Sequence, residues 1–199
     1  HAHQKGITHR ELKPGNILVA DEGGKAVPKV IDFGIAKVLE GEGAGHTIAT
    51  GIDQLVGTPG YISPEQIEHG SAHMDTRSDV YALGAILFEL ISGKQLVTPS
   101  DIAQKPIHVL LREIAEKDAP RPSTIDPNVK GDLDWIALKA LERDPDRRYG
   151  SADEATDGIG QSDQDIGLVI SSSHLLDRNP LPAQLQSNLA FFTARQTID

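Results

Sequence analysis

Cysteine is missing from all 199 residues, so disulfides and thiolate metal sites are excluded. That fits a reducing compartment, and the cytoplasm is the expected location. Positive charge is in deficit: 19 Lys and Arg stand against 29 Asp and Glu, a formal net charge of −10. Such a balance argues against nucleic acid or an anionic membrane surface as the main partner. Long apolar runs are also lacking. The longest, ALGAILF at 82–88, is closed by Glu89 and falls far short of the roughly 18 residues that mark a membrane-spanning helix. Neither a signal peptide nor a membrane segment is visible, and no internal repeat occurs. The chain opens on His1 rather than methionine, and its first residues read as the end of a helix, so a piece of a longer protein is expected. What is present, 38% hydrophobic and 24% charged residues, is the composition of a folded domain with its own core.

Two short β-branched runs, NILVA at 16–20 and VPKVIDF at 27–33, flank an acidic Gly-Gly turn. That pattern predicts a hairpin. Residues 40–60, rich in Gly and Thr without periodicity, are expected to form a long functional loop. DVYALGAILFELISG, 79–93, is apolar on nearly every face, with Asp79 at its start and Gly93 past its end. It predicts a helix capped by Asp79 and buried on most sides. Helical spacing recurs over 106–117 and in LDWIALKAL, 133–141, with the proline-rich stretch 118–127 between them. From about residue 156 Ser, Gln, Asp and Gly dominate and the periodicity fades.

The chemistry lies in THRELKPGNILV, 8–19. Moving a phosphoryl group from ATP to a hydroxyl needs magnesium on the phosphates, an acceptor for the hydroxyl proton and a cation near the γ-phosphate. Hard oxygen ligands suit magnesium, and a carboxylate with an amide suffices because phosphate oxygens fill other positions. HRELKPGN at 9–16 followed by IDFG at 31–34 supplies such a set in order.

With these motifs the chain resembles the large lobe of a serine/threonine protein kinase, where Lys13 and Pro14 follow the catalytic acid. SPE at 63–65, GTPGYI at 57–62, DVYALG at 79–84 and ERDPDRRY at 142–149 stand in the family's order over about residues 1–152. DTRSDVYALG and GDLDWIALKALERDPDRRY look like bacterial multidomain kinases. The implied fold is α+β and mainly helical, a large lobe over 1–155 with a hairpin at 17–31 by the cleft and an unassigned tail over 156–199. The implied cofactors are ATP and Mg2+, and the implied partners are a protein with a Ser or Thr acceptor and the kinase small lobe.

The resemblance also implies roles. Glu11 stands at the catalytic acid, Asp32 and Asn16 would hold magnesium, and Lys13 would reach the γ-phosphate. Thr58 would hydrogen-bond that lysine and the acid, and Leu18 would lie beneath the adenine. His9 and Phe33 would join an apolar column between lobes, with Gly34 completing the triplet. Arg10 would meet a phosphate on the activation loop, for which Thr47 and Thr50 are candidates. Glu65 and Arg148 would pair to anchor that loop, and breaking a buried pair costs roughly 3–5 kcal/mol. Asp79 would cap the backbone of the catalytic loop. The remaining histidines (His1, His3, His46, His69, His73, His108 and His174) show no metal spacing and read as surface residues.

Three departures from the family pattern stand out. Glu11 replaces the family's aspartate; the two acids differ by only about half a pKa unit. The extra methylene moves the carboxylate oxygens by about a bond length, and a displacement of about 1 Å can cost roughly 10²-fold in rate. No glycine-rich loop, strand lysine or helix glutamate precedes residue 8, so the 199 residues alone are expected not to catalyse. Beyond SADE, 151–154, DGIGQSDQDIGLVISSSH replaces the expected basic helix. A frame slip or gene decay near residue 155 would account for it, as would a variable linker; translating the neighbouring reading frames separates the two. The alternatives to a kinase are a pseudokinase scaffold and a decayed, functionless product.

Overall fold

The computed structural model describes residue 3 and residues 7–21, 26–32, 59–70, 74–129 and 131–155. Residues 40–58 of the loop expected over 40–60, the tail over 156–199, and Phe33, Gly34, Thr47, Thr50 and Thr58 lie outside them. So does the helix end expected before residue 7, apart from His3.

A short 3-10 turn, Pro14–Asn16, feeds β1 (Ile17–Asp21), which pairs antiparallel with β2 (Ala26–Val30). Ile17 faces Val30 in register and Val19 faces Pro28. Pro28 has no N–H to give a ladder, and a two-stranded sheet tolerates it because both strands are edges.

Among the described residues, five helices of six residues or more follow. α1 (Pro64–His69) starts on Ser63 with proline at its first position, a backbone already set for the helix, and stops at Gly70 with φ of 66°. α2 (Thr76–Ser92) stops at Gly93, whose φ of 70° lets its N–H reach the Glu89 carbonyl. α3 (Pro99–Gln104) and α4 (Ile107–Glu116) are stapled by Lys105, which reaches Asp101 at 3.1 Å and Glu113 at 2.8 Å. α5 (Gly131–Ala140) is preceded by a 3-10 turn at Pro122–Thr124, where the Ser123 N–H donates to Asp134 at 2.8 Å.

The start of α2 corrects the sequence reading. Asp75, not Asp79, is the cap; its carboxylate accepts the Arg77 N–H at 2.8 Å. Asp79 sits a full turn inside, and its carboxylate points away from its own helix.

The core is built around α2. One side packs Leu87 and Ile91 on Leu133, Ile136 and Ala137 of α5, and a second packs Ala82, Ile86 and Leu90 on Leu12. Val80 meets Ala140, Tyr149 and Ala155, while Tyr81, Ala85 and Phe88 close on Leu141. Burial on every side explains why the helix shows no polar face. The fold is therefore mainly helical, with one small antiparallel sheet placed where β1 leaves the 8–16 loop.

Candidate active site

The 8–16 loop is held by donors and acceptors from three directions. Asp79 comes from α2: one carboxylate oxygen accepts the buried His9 N–H at 2.7 Å and the other accepts the Arg10 N–H at 2.9 Å. Arg10 has φ of 72°, a left-handed backbone that is costly for a residue with a Cβ. Strain of this kind, about 1–3 kcal/mol, persists only where surrounding bonds impose it. The Asp79 carboxylate is one such bond.

Ile31, the residue after β2, supplies the second hold. The His9 ring lies 2.8 Å from the Ile31 carbonyl through Nε2, and since a carbonyl only accepts, Nε2 donates. Nδ1 is then free to accept the Glu11 N–H at 3.3 Å. The Ile31 N–H in turn donates to the Asn16 carbonyl at 2.9 Å, so the residue before Asp32 is fastened to the end of the loop. Asp32 is exposed and also left-handed, with φ of 62°.

Asn16 is the third. Its side chain is buried, and Nδ2 donates to the Glu11 carbonyl at 2.9 Å. With the amide nitrogen committed inward, Oδ1 is the atom left to act as a ligand. Lys13, half-buried, accepts the Asn16 N–H through its carbonyl at 3.0 Å. Glu11 itself is exposed. Leu18 and Ile31, 47% and 38% exposed, share one face of the hairpin and form an apolar floor, while Val30, opposite Ile17, is 42% exposed on the other face.

Glu65, at the second position of α1, and Arg148 form a bidentate pair at 2.8 and 2.7 Å. Every Arg148 N–H is used: Nη1 also reaches the Arg77 carbonyl, Nη2 that of Arg143 and Nε that of Glu142. The guanidinium stacks over Tyr81 at 5.0 Å. Burial raises the Glu65 carboxyl, but hydrogen bonds from Arg148 and Ser78 and the Arg148 charge outweigh it and hold the pKa at about 2, against an ordinary 4.5.

One expectation fails on burial. His3 is not a surface residue: Nε2 lies 3.0 Å from Asp79, and Nδ1 accepts the Ala152 N–H at 3.3 Å. A histidine code shows no spacing for such a role, because its partners lie 76 and 149 residues away. His69 and His108 are exposed as expected. Two further side chains fasten the segment between GTPGY and α1. Tyr61 donates to Glu89 at 2.5 Å and accepts from Gln95 at 3.1 Å, fastening the end of GTPGY to α2. Gln66 completes a Ser63-x-x-Gln66 capping box, which the spacing did signal.

The family model for the protein kinase domain matches residues 1–157. The chain is 37% identical over 178 residues to a probable serine/threonine-protein kinase of Clostridium perfringens, covering 89% of this chain and 24% of that protein. It is 40% identical over 153 residues to the serine/threonine-protein kinase PknB of Mycobacterium leprae, covering 77% of this chain and 22% of that protein. The same enzyme of Mycobacterium tuberculosis is 39% identical over 153 residues, with the same coverage. The chain thus spans about a quarter of the length of these relatives.

Proposed function

The chain belongs to the protein kinase domain family, a phosphotransferase by descent, and from that premise we propose that its parent moves the γ-phosphate of ATP onto Ser or Thr hydroxyls of a protein. The observation that carries this reading is the clasp at Asn16: its Nδ2 bonds the Glu11 carbonyl, and its own carbonyl takes the Ile31 N–H, both at 2.9 Å. Two motif segments, HRELKPGN and IDFG, are tied at one point, and the Asn16 amide oxygen and the carboxylate of Asp32, the residue after Ile31, are the hard donors they offer.

That donor set fits magnesium, which binds through few protein oxygens and completes its shell with phosphate and water. When bound, the ion neutralises charge on the phosphate oxygens. The protein's own part is positional. Lys13 directs its ammonium to the γ-phosphate, and Leu18 with Ile31 gives the adenine an apolar floor. Glu11 accepts the proton of the acceptor hydroxyl as its oxygen bonds to phosphorus and the bond to ADP breaks. Arg10, with Thr47 and Thr50 as candidate phosphosites, Thr58 as hydrogen-bond partner of Lys13 and Glu11, and His9 with Phe33 in the interlobe column complete the reading, with Gly34 closing the triplet. Among the described residues, no helix is long and apolar enough to cross a membrane.

The test is transfer of labelled phosphate by the full-length parent to a Ser/Thr protein acceptor. Asp32→Asn should lower kcat by at least about 10²-fold. Glu11→Asp should raise it, by up to about 10²-fold, because it restores the shorter reach. A parent with wild-type activity after Asp32→Asn would overturn the assignment. No gain from Glu11→Asp, with both forms binding Mg-ATP, would overturn the positional argument and favour a scaffold.

A further inference from the structure

A side chain outside the catalytic motifs touches the peptide that carries the catalytic acid. Gln66, on α1, donates from Nε2 to the Arg10 carbonyl at 3.2 Å, and the same nitrogen lies 3.7 Å from the Met74 sulfur. Its Oε1 accepts both the Ser63 N–H and the Ser63 hydroxyl at 2.9 Å. The two amide ends are thus distinguished by their partners: two donors face the oxygen, and a carbonyl and a thioether face the nitrogen.

The Arg10 carbonyl belongs to the peptide plane joining Arg10 to Glu11. The plane before it is held by Asp79 through the Arg10 N–H at 2.9 Å. The plane after Glu11 is held by Asn16 through the Glu11 carbonyl at 2.9 Å. Between these two, the Arg10–Glu11 plane has the Gln66 amide on its oxygen and the His9 ring, at 3.3 Å, on its nitrogen. At φ of 72° Arg10 would relax toward the ordinary region without such restraints. A tilt of this plane would swing the Glu11 side chain directly.

We propose that Gln66 is a positioning residue, which couples α1 to the catalytic acid by holding the Arg10–Glu11 peptide through its Nε2. The coupling rests on the kinase reading above. It makes α1, which carries the Glu65 anchor, a means by which movement of the preceding substrate-docking segment reaches the acid. Gln66 touches no reacting atom; its effect runs through one carbonyl.

Gln66→Glu isolates the function, since a carboxylate keeps the acceptor for Ser63, and an acid suits the first turn of a helix. The donor to the Arg10 carbonyl and the Met74 sulfur is lost, and a carboxylate oxygen takes its place. In the full-length parent we expect unchanged melting, amide exchange at Glu11 and Leu12 faster by about fivefold, and kcat lower by about tenfold with KM for ATP unchanged. Ser63→Ala should lower Tm and change kcat less than Gln66→Glu does, because it weakens the cap and keeps Nε2 on the Arg10 carbonyl. Wild-type exchange at Glu11 in Gln66→Glu overturns the proposal whether or not the parent is active. A parent without transferase activity instead overturns the kinase reading, and exchange then decides the role of Gln66 alone. If Gln66→Glu melts early and Ser63→Ala lowers kcat in parallel, Gln66 is a helix cap and nothing more.

Discussion

Because every N–H of the Arg148 guanidinium is occupied inside the protein, removing its acid partner leaves a buried charge without an anion. Glu65→Ala should therefore destabilise the lobe by about 3–5 kcal/mol in urea titrations. The same pair sets an acid limit. Its carboxyl is depressed from 4.5 to about 2 in the folded state, so its contribution is complete above pH 4.5 and vanishes as pH falls through about 2. Stability should drop by about 3 kcal/mol across that window from this group. A Glu65→Gln variant should lose that acid slope while starting from a lower plateau, and an unchanged slope would show that another carboxylate governs it. Asp79 makes a comparable case with a different mechanism. Asp79→Ala would strip the acceptor from the His9 and Arg10 amides, at about 1–3 kcal/mol each, and free Arg10 from its left-handed backbone.

At the scale of elements, the contact of α2 with α5 depends on one missing side chain. A Cβ at Gly84 would lie 2.8 Å from the Ala140 Cβ and 3.2 Å from the Ala140 carbonyl carbon. Real Cβ atoms do not approach so closely, so Gly84→Ala must push the two helices apart. We expect a cost of about 1–3 kcal/mol, read as a lower denaturation midpoint. Adding Ala140→Gly removes the closer contact but leaves the backbone one, so rescue should be partial. Full rescue would mean that the helices can shift after all, and that Gly84 is not what sets their spacing.

The molecule as a whole divides into a deep helical core and a thinly supported edge. α2 packs against α5, Leu12, Tyr149 and Leu141 on successive faces, with Phe88 fully buried. The hairpin is a two-stranded sheet whose Leu18 and Val30 side chains are largely exposed, and isolated hairpins are marginal. Native-state amide exchange should be slowest in α2 and α5 and fastest in β1 and β2. Equal protection throughout would show that the hairpin shares the core's cooperativity. Leu18→Ser should change stability by less than about 0.5 kcal/mol while weakening ATP binding, since the exposed side chain contributes little to folding. A melting shift without loss of nucleotide affinity would remove Leu18 from the proposed pocket.

The hairpin, the three longer helices and the family were legible in the sequence, because alternating and helical apolar patterns report burial and the motifs recur in a set order. α2 could be read as buried on most sides from its composition alone. Its first residue could not, since the apolar run opens at Val80 and so points to Asp79 as the cap. The choice follows from where each carboxylate finds donors: Asp75 finds its own helix, whereas Asp79 finds the amides of a loop 70 residues earlier in the chain. The bonds of His3 and the bond of Gln66 to the Arg10 carbonyl, 56 residues away, were illegible for the same reason. A side chain's hydrogen-bond partner is a fact of spatial proximity, and a linear pattern encodes proximity only within a turn or two. Local periodicity and motif order were thus determined by the sequence itself; which polar groups meet across the loop was decided by the tertiary packing of α1 and α2 against it.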